Sequence, residues 1–350
     1  SRSNRRRLNF FIKPKTIEYV TKRLPRVNQH TGVYLSDQAA GLNARSRNGS
    51  DADFYVLDTT SDTWQVASSI TGYDISVAGR LLCVRDHEVT YDGRTILSVG
   101  SDTRILENYY AGGMLVPRMR DSEESESSNR LVAIPWTPDR ELAGFDHATN
   151  PTQRLRSHRE FAYAMGQLRG EVLVATNTGG VYALKDNAWR VIVEPGPHSY
   201  QVYAMLNYYD RLLLGHYPSG ELFEYDGREL RQLTGWPPVM PGVSKNAREA
   251  QTLAIYGGDL YVGVWPWAEV WRYDRNASRW QFAQRMFTHP DPTDTTRHPY
   301  ELETAAVAKV RNLWGQRVTS MVPYGDSLFI STSSKTGAEV IPDFLQPERW

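Results

Sequence analysis

The chain has 350 residues, 40% hydrophobic and 23% charged, which is enough to bury a sizeable core. Its 40 basic and 40 acidic residues balance, which excludes a global electrostatic attraction to nucleic acid or membrane. No stretch reaches the about 20 apolar residues of a spanning helix, and the single cysteine, Cys83, excludes an internal disulfide. We therefore predict a protein that binds neither nucleic acid nor membrane. We also expect a monomer.

The first residues, SRSNRRR, are basic and polar, which is typical of a frayed terminal segment rather than of a nucleic-acid-binding arm. No signal peptide is visible in the chain. We nevertheless expect a secreted or periplasmic protein.

One pattern recurs along the chain, and its clearest copy is NAREAQTLAIYGGDLYVGVWPWAEVWRYD at 246–274. It consists of an apolar run, a tight turn at Gly258, a second alternating run and a third strand, which together predict consecutive antiparallel strands. Equivalent turns occur at Gly79, Gly112–Gly113, Gly170, Asp210 and Gly325. The third strand recurs as FYVLD (54–58), VYALKD (181–186), LFEYDG (222–227) and VWRYD (270–274).

A repeat of this kind predicts an all-β chain folded as one seven-bladed β-propeller, with six or eight blades as the alternatives. The predicted units span approximately 28–68, 69–100, 101–150, 151–195, 196–244, 245–303 and 304–350. The last unit shows only two strands, so we expect residues 1–27 to complete it and to close the ring without an open sheet edge.

Three segments do not follow the repeat. The acidic, Ser-rich run 121–130 predicts a solvated loop. The polar segment 288–301 is either a lid or a plain connection. Cys83, with Asp86 and His87 nearby, favours a buried thiol over a zinc site, because no second cysteine or spaced histidine pair accompanies it.

Aligning the units on their turns defines two ends. At the mouth end, the first strand of a unit begins and its second strand finishes; at the hairpin end, these two strands are joined by a turn. The alignment puts Thr176, His216 and Val264 at equivalent positions, and likewise Glu160, Tyr200 and Arg248. Candidate mouth-end residues are His158, His198, Tyr200, His216, Tyr217, Arg248, Trp265, Trp267 and Arg317. Imidazole, phenol and guanidinium groups among Trp faces suit a sugar that carries a carboxylate.

Structural roles are the alternative for these residues. His158 is equally typical of a propeller histidine that bonds a neighbouring backbone, and Trp265 and Trp267 of a packed corner between blades. The sequence contains no phosphate-binding loop, HExxH or GxSxG motif. It also lacks paired carboxylates at the aligned positions, which disfavours a hydrolytic glycosidase.

The segments 198–227 and 247–274 resemble seven-bladed polysaccharide lyases, the ulvan lyases in particular. The resemblance implies cleavage of a uronate-containing, sulfated polysaccharide by β-elimination. It assigns catalysis to His198, His216, Tyr256 and Arg272, with an arginine (Arg272 or Arg248) neutralising the uronate carboxylate. It requires no organic cofactor, and a structural divalent cation stays open.

The strand phases conflict with one part of this assignment, because they put Tyr256 at the hairpin end, opposite His198. Tyr200 is therefore the alternative tyrosine. The predicted partner is an anionic polysaccharide. The alternative function is a non-catalytic propeller platform that binds carbohydrate or protein.

Overall fold

The computed structural model describes residues 32–36, 43–48, 51–58, 60–61, 63–66, 75–122, 128–140, 142, 149–157, 159–196, 201–241, 248–287 and 315–335. Every regular element in these ranges is a β-strand, so the all-β prediction is confirmed for them. No described segment forms a helix with the length and hydropathy needed to cross a membrane.

The strands are short and follow one another closely along the chain. Their bounds are β1 Gly32–Ser36, β2 Asn43–Asn48, β3 Asp51–Asp58, β4 Thr63–Val66, β5 Ile75–Val77, β6 Arg80–Arg85, β7 Glu88–Tyr91, β8 Arg94–Ser98, β9 Thr103–Glu107, β10 Tyr110–Ala111, β11 Met114–Leu115, β12 Arg118–Asp121, β13 Asn129–Val132, β14 Ile134–Pro135, β15 Thr152–Arg154, β16 Ala162–Leu168, β17 Glu171–Thr176, β18 Val181–Lys185, β19 Ala188–Val193, β20 Gln201–Tyr208, β21 Arg211–Tyr217, β22 Leu222–Tyr225, β23 Leu230–Leu233, β24 Glu249–Tyr256, β25 Asp259–Trp265, β26 Glu269–Asp274, β27 Arg279–Arg285, β28 Gly315–Tyr324 and β29 Ser327–Lys335.

Consecutive strands pair antiparallel into four-stranded sheets: β1–β4, β5–β8, β16–β19, β20–β23 and β24–β27. Strands β9, β12, β13 and β15 form a further sheet, beside a smaller one of β10, β11 and β14, and β28 pairs with β29. The predicted turns at Gly79, Gly112–Gly113, Gly170, Asp210, Gly258 and Gly325 all join adjacent antiparallel strands, as expected.

The core lies between neighbouring sheets. In β25 all but one residue is buried, because both faces of this strand are covered, whereas no residue of the outer strands β19 and β27 is buried. Apolar clusters join the sheet β16–β19 to β20–β23, the sheet β20–β23 to β24–β27, and the last of these to β28 and β29. The first strands β16, β20, β24 and β28 lie side by side.

Adjacent sheets approach most closely at one repeated position in the second strand. Gly215 lies opposite Ala204 and Gly263 opposite Thr252, at equivalent positions in their sheets. A Cβ on Gly215 would overlap the backbone oxygen of Ala250, and one on Gly263 would lie 2.7 Å from the Cβ of Val318. Glycine therefore sets the spacing between these sheets.

The first strands share a second feature, a β-bulge near the mouth end. The register shifts between Ala162 and Ala164 and at the three equivalent places in β20, β24 and β28. The additional residues are Tyr163, Tyr203, Gln251 and Thr319. Bulges re-aim side chains and are frequent beside functional sites.

Two sequence predictions need correction or qualification. The acidic run 121–130 is not wholly a solvated loop, because Asn129 and Arg130 belong to β13 and are buried, and Arg130 pairs with Asp121. The segment 288–301 and residues 1–27 lie outside the described residues.

We expect Gly215→Ala to lower the free energy of unfolding by about 2 kcal/mol or more, because the neighbouring backbone must move to admit the methyl group. Gly100→Ala is the matched control: nothing lies within 4 Å of its Cβ, and we expect a change within about 1 kcal/mol. Urea unfolding of both variants measures the difference. Equal stability of the two variants would contradict the proposed role of Gly215.

Candidate functional site

The strand register brings the mouth ends of consecutive sheets together as the sequence alignment predicted. Thr176, His216 and Val264 lie opposite Ala162, Val202 and Ala250, so they occupy equivalent positions in three sheets. Parallel bridges join the sheet β20–β23 to the sheet β24–β27, between Ser219 and Arg248, and the latter sheet to β28, between Trp267 and Gln316.

Arg248 is a structural residue in this arrangement. Its side chain is buried, its guanidinium donates to the backbone oxygen of Pro238 at 2.9 Å, and it lies 3.6 Å from the carboxylate of Glu269. Glu269 is fully buried, which raises the pKa of its carboxyl group, and it also accepts from Trp271 Nε1. The Arg248 guanidinium thus compensates the buried charge of Glu269 and is less available to bind a ligand.

The two tryptophans of the WPW corner are likewise packed. Trp265 and Trp267 are 1% and 2% exposed. Trp267 belongs to the core between two sheets and has the guanidinium of Arg285 over its ring at 5.3 Å. The packed-corner alternative therefore describes both residues, and neither presents an open face for a sugar.

Tyr217 and Trp265 form the inner end of a row of aromatic rings. Ring centroids are 4.8 Å apart for Tyr163 and Tyr203, 6.2 Å for Tyr203 and Tyr217, and 6.2 Å for Tyr217 and Trp265. Phe161, which is exposed, stands 5.6 Å from Tyr163 at the outer end. The row runs from the surface into the mouth end, with the two bulge tyrosines part-exposed between its ends.

Polar groups surround the bulge tyrosines. The hydroxyl of Tyr203 donates to Gln201 Oε1 at 2.7 Å, and Arg317 lies 3.7 Å from the buried carboxylate of Glu249. Burial, and then the negative charge of Glu249, hold the pKa of Tyr203 well above its usual value. We call Tyr163, Gln201, Tyr203, Glu249 and Arg317 the mouth cluster.

The mouth cluster has definite chemical abilities. The Tyr203 phenol is a hydrogen-bond donor and the residue is part-exposed, although its raised pKa makes it a weaker proton donor than an ordinary tyrosine. The Arg317 guanidinium is the positive group for a carboxylate or sulfate, but like Arg248 it is buried and compensates a buried glutamate. Gln251, equivalent to Tyr203 one sheet further, is 8% exposed, and its Oε1 accepts no hydrogen bond from a described residue.

His216 lies beside this cluster. Its Nδ1 is 2.9 Å from Ser219 Oγ, and its ring packs edge-on against Phe223. Burial lowers the pKa of His216 to about 4, with the Glu221 carboxylate acting in the opposite direction. The imidazole is therefore neutral at neutral pH and a weak base.

Tyr256 and Arg272 lie at the hairpin end, away from the mouth cluster. Tyr256 pairs with Asp259 at the turn, seven residues along β24 from Glu249, which is roughly 23 Å of extended strand. Its hydroxyl donates to the backbone oxygen of Asp326 at 2.5 Å. Arg272 Nε donates to Asp259 at 2.7 Å. The structure therefore does not bring these two residues together with His216.

Three further candidates, His158, His198 and Tyr200, lie outside the described residues. Of the candidates within them, His216, Tyr217, Arg248, Trp265, Trp267 and Arg317 all lie at the mouth end.

The alignment missed several polar residues at the mouth end. Three carboxylates are buried there: Glu160, which stands at an aligned position, and Glu249 and Glu269, which do not. Glu160 accepts from Thr176 Oγ1, Tyr182 Oη and the backbone of Arg156, which explains its burial without a catalytic role. Stepping the alignment one residue past Arg248 would have found Glu249 and Gln201, whereas Tyr203 is displaced by the bulge.

No group of three or more His, Cys, Asp or Glu side chains suited to a metal ion occurs among the described residues. In the CVRDH segment, Cys83 is a buried thiol outside any disulfide, Asp86 pairs with Arg104, and His87 Nδ1 contacts the backbone oxygen of Thr103. These contacts agree with the buried-thiol prediction.

No protein-family model and no curated protein matches the chain. Three similar solved structures are the extracellular domain of a protein described as a one-component system from B. thetaiotaomicron (13% identity, 87% of this chain and 38% of that chain, TM-score 0.46), BamB from Moraxella catarrhalis (15%, 60% and 62%, 0.41) and the calcium-binding protein regucalcin from Agrobacterium tumefaciens (10%, 67% and 81%, 0.39). The chain thus spans less than two thirds of the first two. The three are β-propeller-like proteins, and none of their names mentions a polysaccharide lyase.

We expect Arg248→Met to lower the free energy of unfolding by about 3–5 kcal/mol, because it leaves the buried Glu269 carboxylate without its compensating charge. Adding Glu269→Leu should recover most of this loss. Denaturant unfolding measures both, with the exposed Arg228→Met as the control. A stable Arg248→Met protein that has lost only ligand binding would contradict the structural role.

The lowered pKa of His216 predicts acid sensitivity. Above the usual histidine pKa the His216 ring is neutral in the folded and in the unfolded protein. As the pH falls to about 4, only the unfolded protein gains the proton, which lowers the free energy of unfolding by about 2–3 kcal/mol. His216→Asn should remove this part of the loss when unfolding is compared at about pH 7 and about pH 4.5. Parallel losses in the two proteins would show that His216 is not the group responsible.

Proposed function

We propose that this protein is a lyase that cleaves uronate-containing polysaccharide by β-elimination at the mouth end. The observation that carries the proposal is the position of Tyr203, a part-exposed residue at the mouth end whose hydroxyl donates to Gln201 beside the Arg317–Glu249 pair. Elimination needs a proton donor for the leaving oxygen and a positive charge at the uronate carboxylate; in the proposal Tyr203 is the donor and Arg317, which is buried against Glu249, provides the charge.

In the proposed reaction a base removes the proton at C5, α to the carboxylate. The electron pair forms the C4–C5 double bond, the C4–O4 bond breaks, and the Tyr203 hydroxyl gives its proton to the departing oxygen. Arg317 stabilises the charge that develops on the carboxylate. The products are a new saccharide end and an unsaturated uronate.

The base in this scheme is His198, which the resemblance to ulvan lyases assigns and which stands just before β20 in the chain. His216 is a poorer base, since its pKa is about 4. It acts instead as a neutral hydrogen-bonding group that positions the substrate acid. This assignment replaces Tyr256 and Arg272 by Tyr203 and Arg317.

The proposal includes a ring of seven blades in which residues 1–27 complete the last one. Its support is the position of β1, which lies against β28 and β29, so that the first and last sheets are neighbours. Tyr55, Leu57 and Trp64 of the first sheet pack with Val322, Tyr324 and Phe329 of the last hairpin. The substrate enters at the mouth end of this ring.

A non-catalytic platform that binds acidic carbohydrate is the second candidate. The burial of Arg248, Trp265 and Trp267 favours it, because these residues serve packing rather than ligand contact. On this alternative, the mouth cluster binds a uronate without cleaving it.

Two matched substitutions test the lyase. We expect Tyr203→Phe to lower kcat/KM at least about a hundredfold, because it removes the proton donor, whereas Tyr256→Phe at the hairpin end should leave it nearly unchanged. The assay follows the ultraviolet absorbance of the unsaturated uronate formed from ulvan or glucuronan. If Tyr256→Phe lowers kcat/KM and Tyr203→Phe does not, the catalytic residues lie at the hairpin end and our assignment is wrong.

Binding and folding are measured on the same samples. If the folded wild-type protein binds the polysaccharide saturably but produces no unsaturated uronate, the platform replaces the lyase. If it neither binds nor cleaves any of these polymers, both candidate functions fail.

A further inference from the structure

A cleft of about 460 Å³ opens between the sheet containing β15 and the sheet β16–β19. Its walls are Gln153, Arg154, Arg156, Tyr182, Val191, Glu194 and Pro195. Strands β15 and β19 are the edge strands of their sheets, so the cleft lies at the outer rim of the molecule. Its volume falls within the about 300–1,000 Å³ of small-molecule sites.

Two hydrogen bonds across the sheets keep this cleft preformed. Trp189 Nε1 donates to the backbone oxygen of Pro151 at 3.1 Å, and Arg156 Nη1 donates to that of Pro195 at 2.6 Å. Both bonds join the β15 segment to the β19 segment. Ligand binding therefore does not incur the free-energy cost of ordering the cleft.

The charged groups of the cleft are available. Arg154 and Glu194 are exposed, and neither the guanidinium of Arg154 nor the carboxylate of Glu194 has a hydrogen bond or ion pair with any described residue. Two arginines and one glutamate line the cleft, so it carries a net positive charge. Val191 and Pro195 add apolar surface.

We propose that this cleft binds an anionic sugar unit, a hexose that carries a carboxylate or a sulfate. The acid group accepts hydrogen bonds from Arg154, the hydroxyls donate to Glu194 and Gln153, and the carbon face of the ring packs on Val191 and Pro195. The Glu194 carboxylate would repel an anion that has no hydroxyl groups to donate to it. A ligand without net charge would leave the positive charge of the cleft uncompensated. An anion that also carries hydroxyl groups pairs with the arginines and donates to Glu194.

This inference does not depend on catalysis, and its test is a binding measurement. Isothermal titration calorimetry of the full chain compares a glucuronate tetrasaccharide with a neutral cello-tetrasaccharide, a sulfated hexose, inorganic sulfate and diglycine. We expect the two acidic sugars to bind, the neutral sugar to bind at least about tenfold more weakly, and salt to weaken the acidic sugars.

Three variants locate the site. Arg154→Ala should weaken the acidic sugars at least about tenfold, and Glu194→Gln should weaken them but not inorganic sulfate. Arg228→Ala, an exposed arginine on another sheet, should change nothing. Binding lost in Tyr203→Phe but kept in Arg154→Ala would assign the sugar to the mouth cluster and overturn the proposal. Tightest binding of sulfate or diglycine, or no binding of acidic sugars, would also overturn it.

Discussion

The close approach of each sheet to the next is the constraint on which the rest of this structure depends. At Gly215 and Gly263 the neighbouring sheet occupies the space where a side chain would stand, and Ala175 is the equivalent small residue one sheet earlier. Only small residues permit backbones to pack this tightly. The resulting spacing lets Ser219 bridge to Arg248 across the sheets, and it brings the mouth ends of consecutive sheets into a single site.

Two buried ion pairs stand at the mouth end, Arg248 with Glu269 and Arg317 with Glu249. Arg248 and Glu269 compensate each other inside the protein and hold the sheets in place, so removing either leaves an uncompensated internal charge. Tyr203 and Arg317 lie beside a buried carboxylate, yet Tyr203 keeps contact with solvent. The hairpin end uses charge structurally as well: Asp259 holds Arg272, and Glu171 accepts from Arg190 and from Tyr225 of the next sheet.

A repeat fold generates a site by varying single positions within equivalent strands. The bulge position holds tyrosine in β16 and β20, glutamine in β24 and threonine in β28, while the bridging position holds Arg248 in one sheet and Gln316 in the next. Each sheet keeps its hairpins, so the fold tolerates this variation.

The sequence by itself determined the strands, the hairpin turns, the equivalence of Thr176, His216 and Val264, and the location of Tyr256 at the hairpin end. These follow from short-range rules: strands alternate with period two, and turns need glycine or aspartate. Only the tertiary structure decided that Arg248 and Trp265 are buried, since burial depends on what the adjacent sheet presents. Only the tertiary structure revealed that Tyr203 belongs to the mouth cluster. A bulge adds one residue to β20 and so shifts the alternation that assigns each side chain to a face of the sheet.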